Sequence, residues 1–308
     1  MDFKGLDILN GYQFSNQQLD HIMNTAAHYE SRVKKGEVIH DLDGMVVSTL
    51  FFEPSTRTRL SFEAAINRTG ARCISMADAG GSSTAKGETM EDTIRTVDGY
   101  VDVIVMRHPQ KGSAQIAADA AVHPVINGGD GAGQHPTQSL LYIYTMRNEK
   151  GYIGGQTITL LGDLKHGRTV HSLSYFMQQF GNKMIFASPD ALKMPEEITN
   201  ELKAKGADIV ETSDVKEALS KSDFVYVTRV QRERFTDPAE YERQKGSYIV
   251  DRELLKSAKK GIVILHPLPR VDEIALDVDS YEGAAYFRQA HNGMYLRMAL
   301  LGLVTGRI

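Results

Sequence analysis

The stretch Phe51-Phe52-Glu53-Pro54-Ser55-Thr56-Arg57-Thr58-Arg59 runs an apolar segment straight into a Ser/Thr-rich helix start. A helix N-terminus offers backbone N–H groups with no intrahelical partner, at the positive end of the helix dipole. Hydroxyls and a guanidinium placed there make a cradle for phosphate. An ordinary N-cap on Ser55 needs one hydroxyl and no arginine, so Arg57 is the residue that points to an anion. Arg59 is expected to face away from the ligand and to play a structural part.

Further anion-binding side chains follow other apolar runs: Arg107-His108-Pro109, His135-Pro136-Thr137-Gln138, Arg168, Arg229-Val230-Gln231 and His266-Pro267-Leu268-Pro269. The segment Gly80-Gly81-Ser82-Ser83-Thr84-Ala85-Lys86-Gly87-Glu88 is similar to a phosphate-binding P-loop only on the surface. Ala85 stands where a glycine should precede the lysine, and Gly87 follows it in place of Ser or Thr. It reads as a small-residue loop presenting Lys86, or as a solvated loop tip. Gly128-Gly129-Asp130-Gly131-Ala132-Gly133 fits no dinucleotide fingerprint in any register, and its acid would repel a pyrophosphate. It reads as a flexible connection delivering His135 and Gln138 to a helix start. No metal site is expected, because His166 and His171 are five apart rather than the three or four that share a helix face. No nucleophile elbow surrounds any serine. The single cysteine, Cys73, reads as a buried inert thiol in a strand.

These groups need a scaffold, and the pattern supplies one. Helical spacing over Ser15 to Lys34, Ser55 to Thr69, Thr89 to Gly99, Ser113 to Ala121 and Pro136 to Lys150 alternates with short apolar runs. Those runs are Met45–Phe52, Cys73–Met76, Val101–Met106 and Pro124–Asn127. After Gly151, Gly154 and Gly155 the alternation restarts. Strands are expected at Thr157–Leu161, Met184–Ala187, Ile209–Thr212, Phe224–Val227 and Ile262–Leu265. Helices are expected at Thr169–Phe180, Pro195–Lys205, Val215–Leu219 and Arg252–Lys259. Val230 to Ser247 is polar without a clear period and reads as a long loop. Ala285 to Leu303 reads as a helix apolar on one face, able to pack on either half. The expectation is an α/β chain of two doubly wound domains, each a mainly parallel sheet flanked by helices. In such sheets ligands bind beyond the carboxyl ends of the strands, which is where the cationic groups fall.

Bulk properties agree. The chain has 308 residues, 42% hydrophobic and 24% charged, with a net charge of -4. That excludes a global basic footprint for nucleic acid, so anion sites must be local. Met1 to Leu9 lacks a signal pattern. No run approaches the roughly 18 apolar residues of a membrane span. A cytoplasmic protein with no membrane contact is expected.

The ordered set Ser55-Thr56-Arg57-Thr58-Arg59, Lys86-Gly87-Glu88, His135-Pro136-Thr137-Gln138 and His266-Pro267-Leu268-Pro269-Arg270 resembles the transcarbamoylase family over essentially the whole chain. Gly162-Asp163-Leu164-Lys165-His166-Gly167-Arg168-Thr169-Val170-His171-Ser172 and Arg229-Val230-Gln231 are similar to its aspartate-using branch. The resemblance implies transfer of the carbamoyl group of carbamoyl phosphate to the α-amino group of L-aspartate, without a cofactor. It implies a carbamoyl phosphate domain over 1–148 and 288–308, an aspartate domain over 149–287, and homotrimers with shared active sites. By position, Ser55, Thr56, Arg57 and Thr58 would hold the phosphate with Arg107. Thr58, Arg107 and His135 would reach the carbamoyl oxygen, and Gln138 with the backbone at Pro267 and Leu268 would hold the carbamoyl amino group. Ser82 and Lys86 would come from the adjacent subunit, with Arg168, Arg229, Gln231 and Lys86 on the aspartate carboxylates. Arg57, Thr58, Lys86, Arg107 and His135 would be the catalytic set. A separate regulatory chain is left open.

Rival readings are weaker. The ornithine-using branch has Cys where Pro267 stands, and a cationic acceptor would be repelled by Arg168 and Arg229. A dehydrogenase would need the missing dinucleotide fingerprint. A non-catalytic binding protein on the same fold would not need the complete set.

Overall fold

The protein is described by a computed structural model that covers residues 2–77, 87–131, 133–230 and 246–308, with 237, 239, 241 and 243. Contacts divide the chain into two compact units, Met1–Tyr144 with Ala290–Ile308, and Thr145–Gln289.

The first unit contains α1 (Asn16–Lys34), β1 (Val46–Phe51), α2 (Thr56–Arg68), β2 (Arg72–Met76), α3 (Met90–Asp98), β3 (Val103–His108), α4 (Ser113–Ala120) and β4 (Val125–Asp130). Local chemistry marks the helix starts. Gln18 N–H donates to Ser15 Oγ at 3.3 Å while Ser15 N–H donates to the Gln18 side chain at 2.9 Å, a reciprocal cap on α1. Thr89 caps α3 through Asp92 N–H at 3.1 Å. The stripe Leu19, Ile22, Met23 and Ala26 of α1 is fully buried. Among the described residues the strands form a parallel sheet in the order β2-β1-β3-β4. Leu50, Ile94, Ile104, Met106 and Val125 build one core under it. The chain leaves β1 for β2 on one side and later enters β3 on the other. That makes the β1/β3 boundary the switch point where open parallel sheets bind ligands. Phe51 lies opposite Arg107 across it.

The second unit contains β5 (Thr157–Leu161), α6 (Arg168–Gln179), β6 (Lys183–Ala187), α7 (Glu196–Ala204), β7 (Ile209–Thr212), α8 (Val215–Lys221), β8 (Phe224–Val227), α9 (Arg252–Leu255) and β9 (Val263–Leu265). Its sheet is also parallel, ordered β7-β6-β5-β8-β9. The switch point is β5/β8. Two further helices, α5 (Pro136–Lys150) and α10 (Tyr286–Thr305), each contribute residues to both units.

Four expectations change. β4 extends through Gly128 and Gly129 to Asp130, so that part of the glycine-rich stretch is strand and not a flexible connection. Asp130 ties it down, accepting from Gly112 N–H at 2.8 Å and Gln134 N–H at 2.5 Å. Within the polar stretch read as a loop, Ala239, Tyr241 and Arg243 are helical. Asp237 starts that turn by accepting Ala239 N–H at 2.9 Å, a cap that needs no apolar period. In α10 every residue from Leu296 to Val304 is buried, so that part is covered all round rather than on one face. Cys73 is half-buried, its thiol pushed up in pKa by burial.

Candidate active site

Ser55 sits at the N-cap of α2 with extended backbone, yet its hydroxyl makes no capping bond. Helix capping therefore does not explain this serine, and Thr56, Arg57 and Thr58 form the open first turn. Arg57 is exposed as a residue and Thr58 is buried. Partial burial around the Arg57 guanidinium lowers its pKa, and the positive charge of Arg107 lowers it further. Two guanidiniums close enough to interact, beside a helix N-terminus, make a place where an anion would be favoured.

Arg107 reaches this place because β3 lies beside β1. Its ladder with β4 slips between Met106 and His108, an irregularity of the kind that re-aims a side chain. Arg107 Nε donates to Glu53 Oε1 at 2.6 Å, and Nη1 to the Gly128 carbonyl at 3.5 Å. At Gly129, where φ is +122°, a Cβ would stand 3.4 Å from both Arg107 Nη1 and His135 Cδ2. The end of β4 thus runs in contact with both side chains. His135 is buried just before α5, with Nε2 3.5 Å from Thr58 Oγ1 and Nδ1 3.5 Å from Thr137 Oγ1. Gln138, one turn on, donates from Nε2 to Tyr142 OH at 2.8 Å. The structure therefore brings Ser55, Thr56, Arg57, Thr58, Arg107 and His135 to one strand-end cluster, with Gln138 on the adjoining helix turn. Arg59 turns to Glu63 and Ser75, both at 3.5 Å.

In the second unit, Gly162 has φ +113°, and a Cβ there would lie 2.3 Å from the Thr228 carbonyl. Only glycine allows the ends of β5 and β8 this close. Thr228 Oγ1 donates to the Leu161 carbonyl at 3.2 Å. Beyond that contact, Asp163 is fully buried and its Oδ1 accepts His166 N–H at 3.0 Å. This holds the turn that leads to Arg168 at the start of α6, while half-buried Arg229 follows β8. Both arginines thus leave neighbouring strand ends at the switch point. Pro267 and Leu268 follow β9, with Leu268 at φ +53°. Ser82, Lys86 and Gln231 lie outside the described residues, as does the side chain of Arg168. Among the described residues no group of three His, Cys, Asp or Glu could hold a metal ion. No described helix is long and apolar enough to cross a membrane.

Residues 7–148 match the carbamoyl-P binding domain of aspartate/ornithine carbamoyltransferases, and residues 154–304 match their Asp/Orn binding domain. The chain belongs to the aspartate/ornithine carbamoyltransferase family. It is 51% identical over 305 residues to the aspartate carbamoyltransferase catalytic subunit of Methanopyrus kandleri, covering 99% of this chain and 98% of that one. The catalytic subunit of M. jannaschii aspartate transcarbamoylase superposes with a TM-score of 0.92 at 44% identity, covering 97% of this chain and 98% of that chain. A Trypanosoma cruzi aspartate transcarbamoylase in complex with carbamoyl phosphate and aspartate also scores 0.92, at 41% identity, covering 98% of this chain and 97% of that chain.

For a member of this family, sequence reasoning left four polar residues without a role in the site. Glu53 lay inside the first motif, but its partner Arg107 is 54 positions away. Asp130 was read only as repulsive, although it anchors the backbone beneath the site. Asp163 orders the approach to Arg168. Tyr142 was the most legible, since it lies four residues after Gln138 on one helix face.

Proposed function

We propose that this chain transfers the carbamoyl group of carbamoyl phosphate to the α-amino group of L-aspartate, giving N-carbamoyl-L-aspartate and phosphate, an early step of de novo pyrimidine biosynthesis. The observation that supports the reading is the gathering of Thr58, Arg107 and His135, around Gly129, beside the uncapped first turn of α2 that carries Arg57. Arg57 and Arg107 suit a phosphate dianion, with Ser55, Thr56 and Thr58 supplying donors. The amine lone pair attacks the carbonyl carbon, and negative charge grows on the carbonyl oxygen. In this reading Thr58, Arg107 and His135 donate to that oxygen, and such donors stabilise the transition state more than the ground state. The bond to phosphate then breaks with its electron pair going to the phosphate oxygen. The departing phosphate is basic enough to take the amine's proton. Gln138 and the backbone at Pro267 and Leu268 hold the carbamoyl amino group. Arg168, Arg229, Gln231 and Lys86 bind the carboxylates of aspartate.

The chain works in the cytoplasm as a homotrimer in which a neighbouring subunit supplies Ser82 and Lys86; a regulatory chain is compatible with this arrangement.

The choice of aspartate is tested at Arg229. Arg229→Ala leaves a substrate carboxylate desolvated without its partner, which is costly. It should raise the aspartate concentration for half-saturation and lower turnover, with carbamoyl phosphate binding nearly intact. An aspartate saturation curve identical to wild type would remove the clamp and the case for aspartate.

A further inference from the structure

We propose that His266 and Glu273 are positioning residues that hold the Pro267–Leu268 backbone in place for the carbamoyl amino group, an inference that rests on the function proposed above. Neither side chain belongs to the set that touches substrate.

His266 follows β9 and is fully buried, and Glu273 is 6% exposed. His266 Nδ1 accepts the Leu268 N–H at 2.8 Å, so that nitrogen carries no proton. The ring proton then sits on Nε2, which donates to Glu273 Oε1 at 2.6 Å. One tautomer and one ring orientation follow. Glu273 Oε2 accepts the N–H groups of Val271 and Asp272, each at 3.2 Å. Burial works against the carboxylate, but the bonds from His266 and the backbone outweigh it and hold its pKa below the ordinary range. Gln289, also buried, secures the other side. Its Nε2 donates to the His266 carbonyl at 2.6 Å, and its Oε1 accepts His266 N–H at 3.3 Å. The imidazole and carboxylate thus tie down the N–H groups of residues 268, 271 and 272.

The turn needs such a hold. Leu268 is the one described residue other than glycine with positive φ, at +53°. A leucine rarely adopts that conformation unless its surroundings impose it. The carbonyls at 267 and 268 can receive a carbamoyl N–H only if their direction is set before the ligand arrives. The Nδ1 contact to Leu268 N–H fixes the planar 267–268 peptide, and with it the direction of the Pro267 carbonyl.

Two isosteric substitutions separate the halves of the device. In His266→Gln the side-chain amide takes the place of Nε2 and keeps the donor to Glu273, but the acceptor for Leu268 N–H is lost. In His266→Asn the amide oxygen takes the place of Nδ1 and keeps that acceptor. Carbamoyl phosphate carries the amino group; inorganic phosphate fills the same cradle without it. We expect His266→Gln to raise the KM for carbamoyl phosphate about tenfold, the worth of one hydrogen bond of about 1.4 kcal/mol. The inhibition constant of inorganic phosphate should stay within about twofold of wild type. His266→Asn should recover most of the loss. A parallel weakening of both ligands, or a change in thermal stability alone, overturns the proposal, as does an Asn variant no better than Gln. If His266→Gln does not fold, Glu273→Gln is measured for the same KM-to-inhibition ratio; a raised ratio supports the proposal and an unchanged one overturns it. A wild-type enzyme inactive with carbamoyl phosphate and aspartate overturns the functional reading and this one together. An active wild type with the parallel shift overturns this one alone.

Discussion

Replacing Thr58 by Val changes one hydroxyl into a methyl at constant shape, in a residue 6% exposed. Catalysis and stability should respond very differently. In the proposed reaction the hydroxyl is one of three donors to the developing oxyanion, and removing one such donor costs roughly 10²–10³ in kcat, or about 2.7–4 kcal/mol. Among the described residues of the folded protein the same hydroxyl meets only His135 Nε2, at 3.5 Å. That is beyond the usual range for a strong bond, so its loss should cost no more than about 1 kcal/mol. The imidazole keeps its contact to Thr137 at the other nitrogen. For a 308-residue chain such a loss moves Tm by no more than about 2 °C. Steady-state phosphate release at saturating substrates, measured beside a thermal unfolding curve, reads both quantities. A kcat within about threefold of wild type would refute the assignment of Thr58 to the oxyanion. A large loss of both activity and Tm would show that the hydroxyl is structural.

Three other outcomes follow from the same residues. Arg57→Ala should lower turnover at least ~10²-fold with the fold retained, since Arg57 is exposed at a helix start; near-normal phosphate release would remove it from the cradle. If Lys86 acts across a subunit boundary, Lys86→Ala and Arg57→Ala proteins should each be nearly inactive yet regain activity when mixed and reassembled, and verified subunit exchange without recovery would contradict sharing. Burial of His171 lowers its pKa from 6.5, opposed by the bond from Nε2 to the Leu164 carbonyl. Below 6.5 the unfolded chain therefore binds more protons than the folded one. Stability should then fall as pH drops through 6.5 toward the folded value, and be unaffected by this group above it. His171→Gln, which keeps a donor for Leu164, should flatten that part of a urea-midpoint profile against pH; an unchanged slope would assign the effect elsewhere.

Much of the scaffold was legible because short β-branched runs such as Val46–Phe51 and Thr157–Leu161 alternate with capped helices. The cationic residues were legible as well, because parallel sheets put their ligands after strand ends. Contacts between remote residues carried no such signal. Glu53 meets Arg107 only after β1 and β3 pair, and Asp130 meets Gly112 only after β4 forms. The extension of β4 through two glycines ran against composition, since glycine weakens strands; close approach of Arg107 and His135 outweighs that preference here. The helical residues around Tyr241 were hidden because their start depends on a single capping aspartate. The last turns of α10 read as apolar on one face, but they are buried on all sides, which their spacing alone does not show.

Carbamoyl transfer to aspartate is read out by incubating the purified protein with carbamoyl phosphate labelled at the carbonyl carbon and identifying the labelled product by mass and NMR, with aspartate or ornithine as acceptor. Labelled N-carbamoyl-L-aspartate should form in equal amount with phosphate, with no carbamoylated product from ornithine. Phosphate release without a carbamoylated amino acid, or carbamoylation of ornithine in place of aspartate, would contradict it.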